Sequence, residues 1–148
     1  MAIDMQKAVI RVGYSLIERH EIKVARYFRY VMLQNDYLAD VLLFQYPLAL
    51  QKLGMFIMED YKQRRPSARA KPLVISVKNS KSGMTLVLAV MGFQREEGAR
   101  NDFGDRFLTA ADKQGVKVKH ESFETGMIEI KNEEYRGFMQ ALGEIELR

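Results

Sequence analysis

Apolar positions in the first third of the chain recur at helical spacing. Met5, Val9, Val12, Leu16 and Ile17 mark one face, and Ile22, Ala25, Phe28, Val31 and Met32 repeat the pattern beyond the charged break Arg19-His20-Glu21. Two helices are the simplest account. Asn35-Asp36 supplies a helix-start signal for a short third segment through Leu43, which must end near Tyr46 because Pro47 disfavours helix at the preceding residue. Pro47 itself suits the first turn of a fourth helix, reaching about Gln63, with Leu50, Leu53, Ile57 and Tyr61 on one face.

The segment Arg64 to Lys71 contains Pro66 and is followed by Pro72, and a helix cannot cross two prolines that close together. It reads as a linker, and after it the period becomes two. Leu73, Ile75 and Val77 alternate with Val74, Ser76 and Lys78; Asn79 to Gly83 turns the chain, and Met84 to Met91 runs back. The return strand is apolar almost throughout, which predicts cover on both faces of the sheet. Phe103, Phe107, Leu108 and Ala111 mark a helix closed by Gly115. A second hairpin follows, Val116 to Lys119 and Ile128 to Lys131 around the turn at 123–126. Asn132 is read as the cap of a last helix with Tyr135, Phe138, Met139, Leu142 and Ile145 as its buried stripe. A shift of 43 residues superposes the hairpins, Leu73 on Val116 and Leu86 on Glu129.

The expected fold is therefore α+β. It has a helical N-terminal half (1–63), a basic Pro-containing linker (64–72), and a ββαββα unit (73–148) forming a four-stranded, mostly antiparallel sheet packed with helices. With 148 residues, one domain is expected.

Charge adds the main functional signal. The net +4 is uneven: residues 1–60 balance, residues 61–94 carry seven cations and no acid, and residues 95–148 are net acidic. The cations are Lys62, Arg64, Arg65, Arg69, Lys71, Lys78 and Lys81. Placed along a phosphate backbone they would gain by counterion release, with Asn79, Ser80 and Ser82 as neutral phosphate contacts. Arg26-Tyr27-Phe28-Arg29-Tyr30 is a second basic and aromatic cluster, whose tyrosines would stack on bases if exposed. A helix-turn-helix over Tyr37 to Tyr61 fits poorly, because its second helix is mostly apolar.

Chemistry is sparse by comparison. The absence of Cys excludes disulfides, thiolate metal sites and cysteine nucleophiles, and His20 and His120 cannot make an imidazole-only zinc site. No phosphate loop, dinucleotide fingerprint or nucleophile elbow occurs. Glu129-Ile130-Lys131, with Glu121 or Asp112 as a second acid, is the one pattern resembling a metal-dependent nuclease. On an alternating strand Glu129 is more simply a solvent-face partner of Lys117 or Lys119.

The expectation is a non-enzymatic protein without cofactor or metal that binds nucleic acid through the seven cations. The alternative is an adaptor, chaperone or inhibitor whose basic arm meets an acidic protein surface. Nine methionines suit a repacking apolar surface, and an open sheet edge would allow a homodimer. Met1-Ala2-Ile3-Asp4 lacks a basic leader, and the longest uncharged run is too short to span a membrane. The expected location is therefore cytoplasmic.

Overall fold

The computed structural model describes residues 2–33, 43–65, 71–79, 82–90, 102–115, 118–121 and 125–144. The elements are α1 (Ala2–Glu18), β1 (Lys23–Val24), β2 (Arg29–Leu33), α2 (Pro47–Arg64), β3 (Leu73–Asn79), β4 (Met84–Val90), α3 (Asp102–Lys113), β5 (Val118–Glu121), β6 (Thr125–Lys131) and α4 (Tyr135–Glu144). A 3-10 turn, Asn132–Glu134, joins the last two.

One six-stranded sheet organises them, in the order β1-β2-β3-β4-β6-β5. The two expected hairpins supply four strands, joined through β4 and β6. That junction is symmetric about Leu86 paired with Glu129, the two positions the 43-residue shift makes equivalent. The β5–β6 pair carries a register shift between Val118 and His120 and so departs from the β3–β4 geometry.

The remaining two strands correct the sequence reading. Residues 23–33 form β1 and β2, where a second helix is expected from Ile22, Ala25, Phe28, Val31 and Met32. Strand β2 runs parallel to β3, Arg29 opposite Leu73 and Leu33 opposite Val77, with α2 in the crossover between them. Val31 and Leu33 are buried and the intervening Met32 is half-buried. A strand covered on both faces loses its alternation, and its apolar run then mimics a helix. The expected helix over 35–43 lies almost wholly outside the described residues.

Helices cover both faces, as the apolar return strand requires. On one side α1 and α2 bury Val12, Leu16, Leu50, Leu53 and Ile57 against Val31, Ile75, Val77, Leu88 and Val90. On the other α3 and α4 bury Phe107, Ala110, Phe138 and Leu142 against Val74, Val87, Ala89, Ile128 and Ile130. Helix α2 lies close to the sheet because Gly54 has no side chain: a Cβ there would fall 2.9 Å from the Val90 Cγ2 atom. This places the apolar face of the would-be recognition helix, Ala49, Leu50, Leu53 and Ile57, in the core.

Asn132 is not a cap. Its side chain accepts a hydrogen bond from the Thr85 hydroxyl (2.6 Å) and donates to the Asn79 carbonyl (3.4 Å), tying the first hairpin's tip to the end of β6.

Candidate functional site

The parallel pairing of β2 with β3 decides where the cations go. Both strands start at the same end of the sheet, and α2 also finishes there, since its C-cap Arg65 lies just before the linker. The Arg29 amide donates to the Pro72 carbonyl at 2.9 Å. Lys71 Nζ donates to the Ala25 carbonyl at 3.1 Å. The Arg29 guanidinium carbon lies 4.7 Å from the Tyr61 ring centroid. The Arg26–Tyr30 cluster, the end of α2 that carries Lys62, Arg64 and Arg65, and Lys71, remote in sequence, are thus one basic and aromatic end. No local signal announces this, because it depends on a long-range parallel pairing.

The candidate cations divide in two. Lys62, Arg64 and Arg65 are exposed at the end of α2, and Lys71 is half-buried beside them. Lys78 is exposed near the far end of β3, roughly 20 Å from Lys71 at the rise of an extended strand. Arg69 and Lys81 lie outside the described residues. Lys62 and Arg64 also complement the negative end of the α2 dipole, and Arg64 Nε pairs with Asp60 at 2.7 Å across one helical turn. Arg64 is exposed and the Asp60 side chain is mostly buried; an i,i+4 helix pair of this kind typically contributes about 0.3–0.5 kcal/mol.

The aromatic groups at this end are covered by arginines. The Arg26 and Arg106 guanidinium carbons lie 5.2 and 3.8 Å from the Tyr27 ring centroid. Arg106 is only 4% exposed, and its Nη1 donates a long hydrogen bond (3.5 Å) to the Leu142 carbonyl. Arg29 Nε is buried without a hydrogen-bond partner. These contacts hold the guanidinium groups against ring faces.

At the other end two of the neutral groups expected on phosphates, Asn79 and Ser82, make contacts within the protein, while Ser80 lies outside the described residues. Asn79 donates to Gln45 (3.3 Å) and accepts from the Ser82 amide (3.2 Å), while Ser82 Oγ accepts from the Met84 amide (3.2 Å).

Glu129 departs from the solvent-face reading. Strand β6 lies between β4 and β5, and Glu129 is half-buried opposite Leu86, away from Ile128 and Ile130. No group of three His, Asp or Glu suited to a metal ion occurs among the described residues. Nor is any helix among them long and apolar enough to cross a membrane. Burial raises the Tyr135 phenol above its ordinary pKa; the nearby Ser76 hydroxyl offsets part of this and Tyr30 adds to it.

Fold and site together define a layered α+β unit with a cationic rim at one end of its sheet. The sequence profile of the CDC45 family matches residues 1–145, and the chain belongs to that family. It is 28% identical over 141 residues to the cell division control protein 45 homolog of Dictyostelium discoideum, covering 95% of this chain and 21% of that protein. The homolog of Schizosaccharomyces pombe is 25% identical over 154 residues, 96% of this chain and 24% of the relative. The chain thus spans about a fifth to a quarter of the length of these relatives. The crystal structure of CDC45 from Entamoeba histolytica superposes with a TM-score of 0.77 at 18% identity, over 95% of this chain and 27% of that one, which establishes the shared fold.

Proposed function

We propose that this chain is a non-enzymatic module of a DNA replication factor that works with proteins and DNA in a replicative helicase assembly. The family match over residues 1–145 carries this reading. Within it, the basic end formed by Lys62, Arg64, Arg65 and Lys71, with Arg69 in the adjoining linker, contacts nucleic-acid phosphates. The support is electrostatic: exposed cations outnumber acids there, and neutralised phosphates release counterions.

An electrophoretic shift with salt titration tests it. Binding to unrelated DNA or RNA that weakens steeply as salt rises is the expected result. No shift at about 50 mM salt, where backbone binding is strong, contradicts it. A stoichiometric protein partner that survives nuclease treatment and is lost on charge reversal of Arg64 and Arg65 would instead assign the basic end to an acidic protein surface.

A further inference from the structure

We infer that Arg26 and Arg29 belong to the same site as Lys62, Arg65 and Lys71, and that this site takes the sugar–phosphate backbone of nucleic acid without reading its bases. The inference rests on the nucleic-acid reading above and goes further in naming which cations act together and what they recognise.

Three observations carry it. First, Lys71 reaches the Ala25 carbonyl and Arg29 lies over Tyr61, so the turn before β2 and the end of α2 are in contact. Second, the described segments 25–30, 60–65 and 71–72 hold six cations, Arg26, Arg29, Lys62, Arg64, Arg65 and Lys71, against one carboxylate, Asp60, which Arg64 already pairs. The uncompensated charge sets up a positive potential at this end, to which the half-buried Arg29 contributes without direct contact. Third, Tyr27 and Tyr61 present ring faces to guanidinium groups of the chain itself, so these rings are not free platforms for bases. Recognition then falls to charge and to the planar donor fork of exposed Arg26. Lys78, at the opposite end of β3, is outside this site.

The test uses the full chain and compares Arg26→Gln, Arg26→Lys and Lys78→Gln in salt-titrated binding to several unrelated duplex and single-stranded sequences. Removing one phosphate contact lowers the slope of log affinity against log salt by about 1, uniformly across sequences. That loss is expected for Arg26→Gln. Arg26→Lys restores the slope, and Lys78→Gln leaves it unchanged. Folding is not at risk, because Arg26 and Lys78 are exposed. An unchanged slope for Arg26→Gln, an equal loss for Lys78→Gln, or a reordering of preferred sequences overturns the site while leaving nucleic-acid binding in place. Failure of the unmodified chain to bind overturns the functional reading itself, and the site with it.

Discussion

The guanidinium carbon of Arg29, on β2, lies 4.7 Å from the ring centroid of Tyr61, on α2. This contact fastens the end of the crossover helix to the strand that precedes it. A partly desolvated cation–π pair is worth about 0.5–2 kcal/mol. Tyr61→Leu keeps the apolar contact but loses the ring, and urea unfolding should show a loss in that range. Tyr61→Phe keeps the ring face and should stay within about 0.5 kcal/mol of the unmodified protein.

Arg106 makes a second such contact from a buried position, 3.8 Å from the Tyr27 centroid. Truncating a large buried side chain leaves a cavity, so Arg106→Ala should cost about 2–4 kcal/mol. Replacing a buried charge by an apolar group of similar volume is often close to neutral. Arg106→Met should therefore cost less than about 1.5 kcal/mol in the same urea titration. Equal losses in the two variants would mean that the charge, not the packing, holds the turn.

The end of α1 carries a backbone strain that can be relieved. His20 has φ 55°, in the left-handed region. Its amide bonds the Ile17 carbonyl (3.1 Å) and the Glu21 amide bonds the Leu16 carbonyl (3.1 Å), the pattern that commonly places glycine at this position. The side chain is exposed, so little packing is lost on removal. The left-handed penalty is about 1–2 kcal/mol, partly offset by the greater freedom of glycine in the unfolded chain. His20→Gly should raise stability by about 0.5–1 kcal/mol in chemical denaturation.

How far the sequence determines the fold differs from segment to segment. Both hairpins were legible from their alternation, a local signal, and in the first the turn glycine is in place, Gly83 having φ 73°; in the second, Thr125 and Gly126, read as turn residues, instead belong to β6, with Gly126 opposite Ala89 and Glu121. The double cover of β4 was legible too, since an unbroken apolar strand has no solvent face. Strand β2 was not. Val31 and Leu33 face α1 and α2, while Tyr30 packs on the other side; burial on both faces erases the period that separates strand from helix. The candidate site followed suit. The cations were visible as a charge block, but only the pairing of Arg29 with Leu73 adds Arg26 to it and sets Lys78 apart. Asn132 shows a subtler limit, because a residue suited to capping was taken by a more distant partner, Thr85.

Tyr135 gives the structure an alkaline signature. Burial raises its pKa above the ordinary value of about 10, so the folded state holds the phenolic proton more tightly than the unfolded chain. Its contribution is fully present below about pH 10 and is lost as pH rises through the folded value. Stability measured by urea unfolding should fall as pH rises above about 10, and Tyr135→Phe should flatten that fall. An unchanged slope in the variant would assign the alkaline loss to other groups.

Binding of nucleic-acid backbone at one end of this sheet is the proposal on which the functional reading depends. Its most direct test is the affinity of the full chain for DNA of unrelated sequence, titrated with salt from about 50 mM upward, beside a Lys62→Glu, Arg65→Glu double variant. Both residues are exposed, so the variant should fold. Binding that falls steeply with salt and is nearly abolished by the double reversal is the expected result. Binding indifferent to salt, or undiminished in the variant, would contradict it.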